Sequence, residues 1–539
     1  MKAVRDGALR QAGGGMRALV AASCAAAALL LGTAAYSADT PLLEVRRFVV
    51  EGENPLSEAE TQSLLRPYLG PHESLATLEA AATALQDAIR DRGHSFHRVI
   101  VPAQQPAAGE LTLRVLPFKL DQIKVTGNKF FSAENVLRSV PGLKPGRSPN
   151  VGLLAQQISL ANEHASKRLT LQVKEGTKAD AVDAELRVVD AAPSQFFISL
   201  TGGSRDFDNT LNKNTGYARV TVGYQHSNLF DRDHTATLAY TTSPEHLDRV
   251  KQFGVFYTVP FYGYHTMLTA FYTYSDVDSG SVGLGGQSFD VSGSGEFYGA
   301  RLTYLLPRFR DLIHNVSVGV EDRFFESNVS FLGTPLPTSA VGSRPITFRY
   351  GGRIERDQAA AAGYVEYVYN LGGGRASDDA RYAAARPGAE RDFNAYRFGL
   401  DGSYTLARWN LSARYRGQYT TEALIPGEQF GIAGSNAVRG FREREITGDK
   451  GHYVNLEVHA PPTFAEIVPI AFYDFGHRSF VVPVIGQSSQ ENIASAGAGI
   501  RWRFHGVDLN LTYAHVLNGA AGGTPRDHDK LHFSAFYRF

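Results

Sequence analysis

From about residue 195 to residue 539, apolar residues recur at every second position, and no helical period of 3.6 residues takes over. In Leu411, Ala413, Tyr415, Gly417 and Tyr419 one face is apolar or small, while Ser412, Arg414, Arg416, Gln418 and Thr420 make the other polar. Val507, Leu509, Leu511 and Tyr513 alternate in the same way with Asp508, Asn510 and Thr512. Leu531, Phe533, Ala535, Tyr537 and Phe539 do so with His532, Ser534 and Arg538. Successive side chains of a strand point to opposite faces, so this stretch reads as a succession of two-faced strands.

A two-faced sheet must bury or cover its apolar side. A soluble sandwich turns that side inward, whereas a membrane barrel turns it outward to lipid and keeps its polar side within. Three features favour the barrel. The polar face carries Arg and Gln on long strands, tyrosines gather near strand ends where an interfacial girdle would sit, and the last alternating strand ends on Phe539. The composition agrees: Tyr (25), Phe (32) and Gly (54) are plentiful, while Met (3) and Trp (2) are scarce. Unpaired backbone groups in hydrocarbon cost several kcal/mol each, so such a sheet must close on itself. Some 345 residues at roughly 20 per strand and connection predict a transmembrane antiparallel barrel of about 16 strands.

Residues 42–191 differ in character. Val45 to Val50 is strand-like, Ser57-x-x-Glu60 is a capping box, and Leu75, Leu78, Ala82, Leu85 and Ile89 recur at helical spacing until Gly93. Strands at His97 to Val101 and Leu111 to Val115 complete a β-α-α-β-β unit. The order then repeats: a strand at Asp121 to Thr126, helices at Ser132 to Val140 and Val151 to His164, and strands at Arg168 to Val173 and Ala184 to Val189. Two small α/β modules are expected, at 42–118 and 119–191, ahead of a barrel at 195–539.

The first 38 residues read as a secretory signal. Lys2, Arg5, Arg10 and Arg17 precede an apolar run from Ala18 to Leu31, and small residues follow at Ala34, Ala35, Ser37 and Ala38. A run of about 14 residues is short of the roughly 20 that span a bilayer. Cys24, the single cysteine, lies within it, so cleavage would leave no thiol for disulfides, nucleophilic catalysis or zinc.

Function classes narrow accordingly. A formal net charge of zero gives no electrostatic footprint for nucleic acid. No catalytic or metal constellation stands out: His72-Glu73 lacks a second histidine at zincin spacing, no G-x-S-x-G elbow occurs, and Gly372 to Gly374 is not followed by a phosphate-binding Lys-Ser/Thr. His94 and His97 flank Gly93 at a helix end and read as turn residues. No enzyme and no cofactor is expected.

Two stretches carry a resemblance. One is the glycine-rich Leu424 to Gly434 segment, followed by Val438-Arg439-Gly440-Phe441 and Gly448-Asp449-Lys450-Gly451; the other is Phe472-x-Asp474-x-Gly476. With Gly223 to Leu229, Tyr257 to Pro260 and the terminal Phe533 to Phe539, the chain resembles the two-partner secretion outer-membrane transporters (TpsB-type, haemolysin secretion/activation branch). The two modules then resemble that family's polypeptide-transport-associated (POTRA) domains. The resemblance implies that the loop near 424–451 folds back into the lumen, with Val438 to Phe441 at its tip and Arg439 on Asp474. A guanidinium meets a carboxylate bidentately where lysine could not. Phe472, Asp474 and Gly476 share one strand face by period two, which leaves Tyr473 for lipid. Because surface ion pairs contribute only about 0 to 1 kcal/mol, the pair is expected to act as a latch rather than a source of stability.

The resemblance further implies an outer membrane of a Gram-negative bacterium, periplasmic modules, and Phe539 as a C-terminal signal for insertion by barrel-assembly machinery. The implied partners are outer-membrane lipid and a large secreted exoprotein, of adhesin or haemolysin type, with an N-terminal secretion domain. Strand one begins near Val45, so a plug helix of the kind common in the family is not evident. The rival readings are a barrel-assembly insertase of the same superfamily, which usually carries more modules, and a passive porin, which needs none.

Overall fold

A computed structural model of the protein describes residues 43–539 except 73–74, 105–108, 179, 205–215, 277–279, 285–286, 292–293, 327–329, 332–333, 336–339 and 485. The expected signal segment, with Cys24, lies outside the described residues.

The first module runs β1 (Arg47–Gly52), α1 (Glu58–Leu65), α2 (Leu75–Asp91), β2 (His97–Ile100) and β3 (Glu110–Pro117). Ser57 caps α1 as the sequence predicts: its hydroxyl accepts from the Glu60 N–H while the Glu60 carboxylate accepts from the Ser57 N–H. One face of α2 places Leu78, Ala82, Leu85 and Ile89 against Phe48, Leu111 and Leu113 of the sheet. Gly93, at φ 88°, stops it. The sheet order is β1-β3-β2, with β1 parallel to β3.

The second module repeats this plan: β4 (Lys119–Thr126), α3 (Ala133–Arg138), α4 (Val151–Ala161), β5 (Lys167–Glu175) and β6 (Ala181–Asp190), in sheet order β4-β6-β5 with β4 parallel to β6. His94 and His97 sit at the junction of the two modules. Asn150 Nδ2 lies 3.1 Å from His94 Nε2 and Ser148 Oγ 3.4 Å from His97 Nδ1, so they serve as joint residues.

Sixteen of the described strands close into an antiparallel barrel. The first eight are β7 (Ser194–Gly203), β8 (Ala218–Leu229), β9 (His234–Thr242), β10 (Gln252–Phe261), β11 (Thr266–Ser275), β12 (Ser294–Leu305), β13 (Leu312–Glu326) and β14 (Pro345–Glu355). A short extension of β14, Val341–Ser343, also pairs with β13. The other eight are β15 (Ala359–Asn370), β16 (Asn394–Leu406), β17 (Trp409–Tyr419), β18 (Lys450–His459), β19 (Ile467–Ser479), β20 (Gln490–Phe504), β21 (Val507–Asn518) and β22 (Asp529–Arg538). β22 pairs with β7 to shut the seam, and Phe196 and Phe539 exchange backbone hydrogen bonds of 2.8 and 2.9 Å there.

The alternation maps onto the two sides of the wall. Leu238, Leu302, Val318, Val365, Leu400, Leu411, Leu456 and Tyr513 remain exposed on the outside, where lipid would cover them. Ser412, Thr512 and His532 face inward. Connections at the module end are short, such as 407–408 and 505–506, whereas those at the far end run as long as 371–393 and 420–449. Within 371–393 lies a helix the alternation gave no sign of, α5 (Asp379–Ala385), capped by Asp378 and burying Tyr382. Seven residues are too few to establish a period.

The second module is docked on the barrel rim. Tyr262 and Leu305 join its apolar core, and Lys167, fully buried, donates to Asp233 Oδ2 at 2.6 Å, to Asn135 Oδ1 at 2.7 Å and to Ser139 Oγ at 2.8 Å.

Candidate functional site

The connection 420–449 turns back into the lumen. Its root forms a small hairpin, Phe430–Gly431 against Thr447–Gly448, and its tip carries Val438 to Phe441. Val438 and Phe441 are fully buried in a cluster with Ile432, Ile446, and the wall residues Ile493 on β20 and Val516 on β21. Apolar burial thus pins the tip on both sides of Arg439.

Arg439 meets Asp474 on β19 through a fork: Nε donates to Oδ2 at 2.7 Å and one terminal nitrogen to Oδ1 at 2.8 Å, while the Arg439 backbone N–H donates to Oδ2 at 3.1 Å. The other terminal nitrogen donates to Glu457 Oε1 on β18 at 2.8 Å. The guanidinium lies over Phe472, its Cζ 3.5 Å from the ring centroid. Asn455 Nδ2 donates both to Asp474 Oδ1 at 2.8 Å and to the Ala437 carbonyl at 2.7 Å. Phe472, Asp474 and Gly476 all face inward, and Tyr473 between them is 43 % exposed on the outer face.

The two glycines have separate physical roles. Gly440 sits at φ 96° and donates its N–H to His532 Nε2 at 3.0 Å, which ties the tip to the last strand. At Gly476 a Cβ would stand 2.9 Å from Val438 Cγ2, so only glycine lets the tip lie against β19.

Both charges of the Arg439–Asp474 pair are shielded from solvent, with side-chain exposures of 7 and 0 %. The figure for surface pairs therefore does not apply, although a buried pair need not add net stability over apolar side chains of similar volume. Removing one partner of a buried pair costs about 3–5 kcal/mol, because the other is left uncompensated. Sequence reading did not find Glu457, Asn455 or His532. Each occupies an inward position on its strand, a signal that marks the face without naming the partner.

Around the loop the lumen keeps a cavity of about 1710 Å³, whose lining includes Arg414, Glu457, Arg501, Thr512 and Lys530 together with Arg439, Arg442 and Glu445 of the loop. Among the described residues no group of histidine, cysteine and acidic side chains is placed to hold a metal. Phe539 ends the last strand against the outer aromatic ring of Phe196.

The fold is thus a closed cylinder with a loop folded into its lumen, preceded by two small modules of which the second rests on its rim. Residues 198–502 match the family described as haemolysin secretion/activation protein ShlB/FhaC/HecB, and residues 43–117 match the POTRA domain, ShlB-type. The chain belongs to the haemolysin secretion/activation family. It is 23 % identical over 429 residues to the outer membrane transporter CdiB of Escherichia coli O6:K15:H31, covering 78 % of this chain and 69 % of that one. It is 22 % identical over 483 residues to the heme/hemopexin transporter protein HuxB of Haemophilus influenzae, covering 85 and 80 %. The solved structure of CdiB from Escherichia coli superposes with a TM-score of 0.73 at 17 % identity, covering 95 % of this chain and 93 % of that one. CdiB from Acinetobacter baumannii gives 0.68 at 15 %, covering 93 and 91 %.

This family member is a two-partner secretion transporter of the outer membrane, with its N-terminal modules in the periplasm and a secreted exoprotein as partner. The short turns are then periplasmic and the long loops extracellular.

Proposed function

We propose that the two modules capture an unfolded exoprotein through its N-terminal secretion domain and feed it to the lumen, where the loop carrying Arg439 is the movable obstruction. The observation that supports this most is the loop itself: the connection 420–449 turns back into the lumen and is fastened to the wall by charged and apolar side-chain contacts rather than by strand pairing. Such a fastening can be exchanged for water and client without breaking the barrel ladder.

Capture by strand addition suits the modules. β1 and β2 are the edges of the first sheet, and extended peptide can pair with an open edge. Each edge carries one side-chain cap from a helix, Gln62 Nε2 on the Phe48 carbonyl at 3.3 Å and Gln86 Oε1 on the Val99 N–H at 3.0 Å. A client strand would displace them. The first 38 residues act as an export signal on this reading, the chain is inserted by barrel-assembly machinery with Phe539 as part of its signal, and lipid covers the outer face. Direction comes from the client folding outside, which withdraws unfolded chain from the pore equilibrium.

The test is co-expression with a candidate large secreted protein that carries an N-terminal secretion domain, sought in the neighbouring gene. Full-length transporter should export it, and deletion of Leu42 to Val115 should abolish both export and pull-down of its N-terminal domain. Undiminished binding by the deletion would reduce the modules to spacers, and unchanged export of a client unable to fold would defeat the driving force.

A further inference from the structure

The loop makes a second charged contact that its tip does not explain. Glu428, in the turn Pro426–Glu428 at the root of the loop, is fully buried, 11 residues before Arg439. Its carboxylate accepts from Arg323 on β13 at 2.8 Å, from Arg397 on β16 at 3.1 Å and from the Ser343 hydroxyl at 2.6 Å. Gln418 on β17 completes the site: its Nε2 donates to the Glu428 carbonyl at 3.1 Å and its Oε1 accepts from Arg397 Nε at 2.8 Å. The polarity is the reverse of the tip contact. There a loop cation enters an acidic wall site; here a loop acid enters a basic one.

The wall around Glu428 lacks acid without it. Arg301 and Arg323 share Glu321, at 3.5 and 2.7 Å, and Arg349 and Arg397 share Glu366, at 3.7 and 4.0 Å, so four guanidiniums face two wall carboxylates. Glu428 supplies a third carboxylate from the loop. A wall built for its own sake would carry its own acid.

We propose that Arg323, Arg397 and Ser343 form a carboxylate-binding site whose resident ligand is Glu428, and that this is a second latch, independent of Arg439, which keeps the loop in the pore. The proposal rests on the preceding function only in treating the lumen as the pore.

Single-channel recording of the full-length protein in planar bilayers tests it without any client, so its outcome is separate from that of the export assay. Glu428→Ala should raise the open fraction by about tenfold or more, since each such factor is a modest part of what a buried charged contact contributes. Glu428→Gln, close in volume, should open like Glu428→Ala; it carries the opening test if the alanine variant does not reach the membrane. Arg323→Gln/Glu428→Gln should open no more than either single variant. Wild-type closure in Glu428→Gln overturns the proposal, as does additive opening in the double variant.

Discussion

Arg386 and Asp449 form a buried ion pair at the extracellular mouth, where three loops meet. One Arg386 terminal nitrogen lies 3.0 Å from Asp449 Oδ2, and the guanidinium also donates to the carbonyls of Leu424 at 2.8 Å and Val482 at 3.0 Å. The carboxylate in turn accepts the backbone N–H groups of Leu424 at 3.0 Å and Val481 at 2.8 Å. A single acid thus joins the loops 371–393, 420–449 and 480–489. Asp449→Ala would leave Arg386 buried without its counter-charge, a loss of about 3–5 kcal/mol felt at the mouth rather than in the barrel ladder. Protease applied to intact cells should cut these loops faster in that variant while the barrel stays heat-modifiable on gels; unchanged cutting would deny the acid this role.

Arg439→Ala should insert as a barrel and secrete poorly. The fork to Asp474 and the bond to Glu457 both go, and Phe472 loses the cation on its face. Arg439→Lys should fall between wild type and alanine, because an ammonium makes a point contact where the guanidinium makes two parallel bonds. Secretion measured beside surface-exposed barrel content separates the two effects. Wild-type export by Arg439→Ala would show that the latch is dispensable.

What the sequence disclosed and what it withheld follow from the geometry of strands. Period two identifies which side of Leu411 or Asp474 faces lipid, so the closed barrel and the inward Phe472, Asp474 and Gly476 were legible. The Ser57-x-x-Glu60 box fixed a helix start from four residues. Arg439 and Asp474 could be matched only through a family likeness, because nothing local links residues on different elements. Lys167 and Asp233 are 66 positions apart, and Arg323 and Glu428 are 105 apart. Their meeting depends on register and closure, which alternation leaves open.

Lys167→Ala should loosen the second module from the rim. Asp233 also accepts from Tyr262 at 2.6 Å and from Ser139 at 3.1 Å, yet Lys167 is its cation. Burial alone would raise the Asp233 carboxyl, and the Lys167 ammonium outweighs it, so its pKa lies below the usual range. Hydrogen exchange in α3 and in the turn 230–233 should quicken in the variant while exchange in β13 to β16 stays slow. Equal protection in α3 would show that the apolar contacts of Tyr262 and Leu305 suffice.

The same interface should weaken on acidification. His164 Nε2–H donates to the Ser227 carbonyl at 2.5 Å, and its Nδ1 accepts from the Ser166 N–H at 3.2 Å, so the docked ring is neutral. Burial pushes its pKa below the ordinary value of 6.5, against the pull of Asp233 3.9 Å away, while Lys167 and Arg168 add to the lowering. A group with a depressed docked pKa binds more protons when undocked, so docking loses free energy as pH falls below about 6.5. The Asp233 contribution is fully present above about 4, which leaves the change between pH 6.5 and 5 to the histidine. Exchange in α3 should rise over that window in wild type and stay flat in His164→Gln; a flat wild-type profile would count against it.

Gly476→Ala tests whether the tip must touch the wall. The added Cβ would stand 2.9 Å from Val438 Cγ2, 3.2 Å from Ile432 Cβ and 3.3 Å from Ile432 Cδ1, closer than carbon atoms pack. Those neighbours belong to the loop rather than to the barrel, so the strain falls on the loop. Overpacking of this kind costs about 1–3 kcal/mol. The strand ladder between β18, β19 and β20 is left as it was, since Gly476 keeps its pairings with Tyr453 and Ile493. The variant should therefore fold and insert as wild type does, yet resemble a weakened Arg439 latch in bilayer recordings, with more frequent openings. Gly476→Val should exaggerate the effect, and a shortened side chain on the facing partner, Val438→Ala, should relieve it in the double variant. Openings as rare as wild type in both substitutions at Gly476 would mean that the tip does not bear on β19 in the resting pore.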